Sequence, residues 1–172
     1  MGKIKLAVIF GGMSTEHDVS IVSGTSIIKK LNNEKYEIYP IYIDKNGDWY
    51  KYNKNIQNIE IMQLGDKIKE IEEIKNPIEY LKQMNCIFPV LHGLYGEDGT
   101  IQGYLQTIGI TYTGNNIYAS SVGQDKVFMK QILDYNKIPI IKYEWFLSNE
   151  YFDNQEELFK KLDKLNYPLI LK

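Results

Sequence analysis

The sequence predicts an α/β fold: a doubly wound, mostly parallel sheet with an added hairpin. Three observations carry that expectation. Two continuous apolar runs, Leu6-Ala7-Val8-Ile9-Phe10 and Cys86-Ile87-Phe88-Pro89-Val90-Leu91, read as strands buried on both faces, as in parallel sheets covered by helices. Each run gives way to glycine and then to a stretch of helical period, so strands and helices alternate. Between Tyr42-Ile43 and Trp49-Tyr50 stands Asn46-Gly47, the strongest short-range hairpin signal in the chain.

In order, residues 3–10 form the first, central strand and stop at Gly11-Gly12. Thr15 with Asp18 then resembles a capping box, and a helix is expected to about Leu31, with Ile21, Ile28 and Leu31 on one face and Gly24 allowing close approach to the sheet. Residues 36–43, rich in β-branched and aromatic side chains, form a second strand that leads into the hairpin. Residues 53–76 are polar and read as a surface excursion. A short helix over residues 77–84 precedes the Cys86 strand, and Ile101, Leu105 and Ile108 mark the helix after the glycine loop. Residues 110–113 read as a fourth, short parallel strand.

Beyond Gly114 the pattern changes to a helix over 124–135, a strand over 140–146, a helix over 154–165 and a strand over 168–171. This unit has no visible partner sheet and reads as the opening of a second domain, with the boundary near residues 120–123. Domain one is therefore assigned to residues 1–122 and the truncated second domain to 123–172.

Composition narrows the function. At 172 residues the chain can hold one good core, or one core and the start of another. A charged fraction of 24% and a net charge of -2 give neither the footprint of a nucleic-acid binder nor that of a disordered chain. No apolar run reaches the length of a membrane span and no signal-peptide core is present, so no membrane partner and a cytoplasmic location are expected. The single Cys86 lies in a predicted strand and reads as core. All 20 basic residues are Lys, so this segment offers no planar bidentate clamp for a carboxylate or oxyanion. Two His, one Cys and no paired ligand spacing argue against a transition-metal site.

The chemistry concentrates in residues 92–103, where four glycines surround His92, Glu97 and Asp98. His92 stands at the carboxyl end of one buried strand and Glu16 follows another, and open α/β sheets bind ligands at that edge. Each residue also has an ordinary reading: Glu16 as a first-turn acid, His92 as a loop imidazole held by a carbonyl, Glu97 and Asp98 as helix caps, Lys126 and Lys172 as solvated charges. Two carboxylates before a helix would repel a phosphate, so the loop suits a cation or a zwitterion such as an amino acid. Gly11-Gly12-Met13-Ser14 lacks the dinucleotide-binding spacing, which disfavours a nicotinamide or flavin enzyme.

These stretches together resemble the amino-terminal part of the D-alanine:D-alanine ligases of the ATP-grasp superfamily. The motifs are Gly11-Gly12-x-Ser14-x-Glu16-His17-x-Val19-Ser20, His92-Gly93-x-x-Gly96-Glu97-Asp98-Gly99-x-x-Gln102-Gly103, Tyr112-x-Gly114, Ser120 and Asp125-Lys126. Similar ligases usually carry Met where this chain has Gln124. The resemblance implies a Rossmann-like pre-ATP-grasp domain followed by the start of an ATP-grasp α+β domain. It also implies ATP-dependent phosphorylation of one D-alanine carboxylate and attack by the amine of a second, giving D-alanyl-D-alanine for peptidoglycan. Glu16 would receive the first substrate's ammonium, His92 would lie near its reacting carboxylate, and Glu97 would help organise the pocket. Lys126 and Lys172 would hold ATP phosphates. Magnesium ligands and an oxyanion-stabilising Arg are expected outside this segment, which should therefore release no phosphate by itself, and a homodimer is expected from the family. Two rivals remain open at this point: a D-alanine:D-lactate or D-alanine:D-serine ligase, and a non-catalytic α/β binding or dimerisation module.

Overall fold

The computed structural model describes residues 2–54, 56 and 59–171, and the chain divides into two compact units, Met1–Asp125 and Lys126–Lys172. The first is built on a five-stranded sheet. Its strands are β1 (Ile4–Gly11), β2 (Tyr36–Ile43), β3 (Trp49–Tyr52), β4 (Ile71–Glu73) and β5 (Cys86–Pro89), in the spatial order β4-β3-β2-β1-β5. β1 pairs in parallel with β2 and with β5, whereas β2–β3 and β3–β4 are antiparallel. The chain thus leaves β1 toward β2 on one side and returns to β5 on the other, which makes the β1/β5 crevice the switch point of the sheet.

The apolar run of β1 is explained by its two faces. Ala7 and Ile9 enter one core with Ile41, Ile87, Leu81, Ile101 and Leu105, while Val8 and Phe10 enter the other with Ile21, Ile28 and Val90. Helix α1 (His17–Lys30) covers the second face, and α2 (Pro77–Leu81) and α3 (Thr100–Thr107) contribute to the first. Gly24 is what lets α1 lie so close: a Cβ there would sit 2.5 Å from Phe10 Cβ.

The hairpin forms with residues 44–48 as its loop. Asp44 Oδ1 accepts the N–H groups of Asn46 (2.8 Å) and Asp48 (3.0 Å), so an aspartate side chain organises the turn around Gly47.

Several expected elements differ. Residues 53–76 are more than an excursion, because β4 extends the sheet edge and Ile59 is buried against α1, where Met62 N–H donates to Thr25 Oγ1. Ile56, Ile59, Met62 and Ile68 meet an existing surface one at a time while Ile61 and Leu64 stay exposed, which leaves no period to read. The capping box does not form. The helix begins at His17 behind Glu16, no side chain caps it, and Thr15 lies outside it. The fourth parallel strand shrinks to one bridge, Ile87↔Tyr112, made by Ile87 N–H to Thr111 O and Thr113 N–H to Ile87 O, each 2.9 Å. Residues 120–123 fall inside an unpredicted helix, α4 (Ile117–Gln124), started by Asn116 accepting Ala119 N–H.

The second unit contains α5 (Lys126–Tyr135), α6 (Ser148–Asp153) and α7 (Gln155–Leu162). The strands expected at 140–146 and 168–171 do not form. Among the described residues this unit offers neither run a strand to pair with, and an unpaired strand leaves its peptide groups to water. No described helix is long and apolar enough to cross a membrane.

Candidate functional site

The two loops leaving β1 and β5 meet at the switch point, and the contacts there are local consequences of the motif residues. Ser20, fully buried one turn into α1, accepts Gly11 N–H (2.9 Å) and donates to Val90 O (2.6 Å). Ser14 accepts Glu16 N–H (3.0 Å) and donates to His92 O (2.6 Å). His17 turns inward at 3% exposure, its Nδ1 on Gly12 O (2.5 Å) and its Nε2 on Tyr42 Oη (3.1 Å). Since a carbonyl oxygen can only accept, Nδ1 donates to Gly12, and Nε2 shares a hydrogen bond with the Tyr42 hydroxyl. The Gly11-Gly12 turn is thereby held to β2, and α1 starts with the Glu16 side chain outside the core.

Glu16 is solvent-exposed and lies against the second loop. Gly93 has φ +69°, and a Cβ built on it would stand 3.3 Å from Glu16 Oε1 and 3.4 Å from Ser14 Oγ. Glycine is needed there both for the left-handed conformation and for the room. The half-buried His92 sits on the same edge, its Nε2 3.0 Å from Ser23 Oγ of α1 and its Nδ1 3.9 Å from Glu97 Oε1. The other Glu97 oxygen accepts Gly93 N–H at 2.9 Å. Asp98 closes the turn by accepting Tyr95 N–H and Thr100 N–H, each at 2.9 Å. Partial burial disfavours the Asp98 carboxylate, but these backbone N–H groups outweigh it and leave its pKa below the ordinary value. Gln102 Nε2 reaches back to Gly96 O (2.9 Å), and Ser121 of α4 donates to Asp98 O (2.7 Å).

The structure therefore brings Glu16, His92 and Glu97 to one edge of one unit. Lys126 is the first residue of α5, in the other unit, and Lys172 lies outside the described residues. Cys86 is half-buried, with its thiol pKa pushed up by that burial, which suits neither a nucleophile nor a ligand. Sequence reasoning missed the anchoring roles of Ser14, His17 and Ser20. A signal was present: polar residues three apart, at 14, 17 and 20, directly after a strand and a glycine pair, can share one inward face of a helix start.

Chemically, the edge offers carboxylates, an imidazole and backbone N–H groups already committed to carboxylates. It suits an ammonium group and does not suit a polyphosphate. Among the described residues no three His, Cys, Asp or Glu side chains are grouped to hold a metal ion.

The chain is similar to known proteins along its length. A family model described as the D-ala D-ala ligase N-terminus matches residues 5–115. Over 172 residues the chain is 42% identical to D-alanine–D-alanine ligase B of Clostridium tetani, covering 100% of this chain and 48% of that protein. It is 38% identical over 175 residues to the D-alanine–D-alanine ligase of Clostridium acetobutylicum, covering 99% of this chain and 50% of the relative. The chain thus spans about half the length of the curated relatives it matches. Among solved structures, the D-alanine-D-alanine ligase of Coxiella burnetii is similar with a TM-score of 0.76 at 27% identity, over 99% of this chain and 55% of that one. The VanG D-Ala:D-Ser ligase of Enterococcus faecalis gives 0.73 at 30% identity, over 97% and 51%.

Proposed function

The chain belongs to the D-ala D-ala ligase N-terminus family, and from that premise we propose that it supplies the first-substrate half of an ATP-dependent D-alanine:D-alanine ligase of cytoplasmic peptidoglycan synthesis. The observation that carries the reading is the exposed Glu16 carboxylate set against Gly93 at the β1/β5 switch point.

Glu16 receives the ammonium group of the first D-alanine, for which a preorganised carboxylate is the natural counter-charge. His92, oriented by Ser23, stands toward that substrate's carboxylate, and Glu97 braces the loop through Gly93 N–H. ATP with magnesium, when bound, supplies the phosphoryl group that activates the carboxylate for attack by the second amine. Lys126 and Lys172 are the residues of this chain proposed to hold its phosphates, residues 123–172 being the beginning of the ATP-binding domain. The magnesium ligands are proposed to lie outside these 172 residues, and self-association through the first unit is proposed on family grounds alone.

The similarity to a D-Ala:D-Ser ligase at 30% identity favours a second reading in which the second substrate is D-serine. It shares the first subsite, and competition between D-alanine and D-serine in the full-length enzyme separates the two. Replacing Glu16 with Gln in that enzyme tests the shared subsite: the D-alanine requirement rises sharply, and an unchanged requirement would instead favour a non-catalytic module.

A further inference from the structure

The ladder between β1 and β5 ends short of the site. Its last members are the pair Ile9↔Pro89 and the bond from Val90 N–H to Ile9 O at 2.7 Å. Beyond them, two serine hydroxyls carry the connection. Ser20 Oγ donates to Val90 O (2.6 Å) and accepts Gly11 N–H (2.9 Å); Ser14 Oγ donates to His92 O (2.6 Å) and accepts Glu16 N–H (3.0 Å). Each hydroxyl spends its proton on the β5 side and a lone pair on the β1 side, and the carbonyls they use are two residues apart. A hydroxyl can do both at once, which no apolar side chain of the same size can.

The two serines are buried alike, Ser20 at 0% and Ser14 at 7% exposure, but they hold different things. Ser20 joins two framework residues at the strand ends. Ser14 joins the main chain of Glu16 to that of His92, and with Gly93 close by it draws the Glu16 carboxylate against the second loop.

We propose that Ser14 is the positioning residue of the first-substrate subsite, its hydroxyl fixing the separation between the Glu16 carboxylate and the His92 imidazole. The proposal rests on the assignment of those two side chains to the first D-alanine. A small amino acid held at its ammonium by one loop and near its carboxylate by the other is sensitive to the spacing of the loops. Ser14 sets that spacing without touching the substrate.

The test uses the full-length ligase containing this chain, with Ser14→Ala, Ser14→Thr and Ser20→Ala as variants. Phosphate release is followed against D-alanine and ATP, the two half-saturating D-alanine concentrations are separated by a two-site fit, and the thermal midpoint is measured in parallel. Ser14→Ala is expected to raise the first D-alanine concentration about tenfold, equivalent to ~1.4 kcal/mol, with the ATP requirement unchanged. Ser20→Ala is expected to lower the thermal midpoint more and to leave the ratio of the two requirements alone. Ser14→Thr, which keeps the hydroxyl, restores the first-substrate requirement. An unchanged D-alanine requirement in Ser14→Ala, or a parallel rise for D-alanine and ATP, overturns the proposal. If Ser14→Ala does not fold, Ser14→Thr decides: a wild-type requirement supports positioning and a raised one overturns it. A raised requirement in Glu16→Gln with none in Ser14→Ala removes this inference alone, whereas a wild-type enzyme without D-alanine-dependent phosphate release removes the functional reading with it.

Discussion

Replacing Gly24 by Ala sets two effects of opposite sign against each other. In a helix interior Ala is preferred to Gly by about 1 kcal/mol, so propensity predicts a more stable protein. The packing predicts the reverse. The added Cβ would stand 2.5 Å from Phe10 Cβ and 2.6 Å from its Cγ, against an ordinary carbon contact of roughly 3.5–4.0 Å. Phe10 is 1% exposed and wedged in the core with Ile21 and Ile28, so it has no free direction in which to yield. Helix α1 must lift from β1 by roughly an ångström, loosening a packed core at a cost of about 1–3 kcal/mol. Lifting α1 also strains the Ser20 bonds to Gly11 and Val90. The net expectation is a loss of about 1–2 kcal/mol, because overpacking and strained hydrogen bonds together exceed the propensity gain. Urea unfolding followed by tryptophan fluorescence reads it as a lower midpoint with unchanged slope. A midpoint at or above that of the parent would refute the close approach of α1.

Two further outcomes follow from the titrating groups. Asp98 has a depressed carboxyl pKa, so its contribution is present above the unfolded value of ~3.9 and is lost as pH falls through the folded one. Asp98→Asn should therefore be less stable than the parent at pH 7, by under about 1 kcal/mol because solvent screens the site, and the gap should close as pH falls through the depressed folded value; a gap that does not narrow on acidification would contradict the bonds from Tyr95 and Thr100. Tyr39 donates to Glu37 at 2.6 Å and its phenol pKa is pushed up to about 12 by that bond. A difference titration against Tyr39→Phe should show the high value, and Glu37→Gln should bring it back toward the ordinary one; no movement would remove Glu37 as the cause.

Much of the sheet was legible because its causes are local in sequence. The alternation of Ala7 and Ile9 with Val8 and Phe10 requires two covered faces, and Asn46-Gly47 between aromatic strands marks the hairpin. Strand order places Glu16 and His92 on one edge, which the sequence already implied by setting both after buried strands. What escaped was non-local. Ser14 and Ser20 bond to carbonyls 78 and 70 residues away, and nothing in their neighbourhood announces those partners. Thr15 and Asp18 have the spacing of a capping box, but Ser14 takes Glu16 N–H and the helix starts one residue later. The apolar runs at 140–146 and 168–171 have strand composition, and composition alone cannot supply the neighbouring strand.

The measurement that bears most directly on the first-substrate assignment is the D-alanine requirement of Glu16→Gln in the full-length enzyme, read beside its ATP requirement. Gln keeps the size of the side chain and removes the charge. Losing a charge-assisted bond worth about 1.5–3 kcal/mol should raise the first half-saturating D-alanine concentration about 10- to 100-fold and leave that of ATP unchanged. A D-alanine requirement equal to the wild type would contradict the account, because the ammonium would then be received elsewhere.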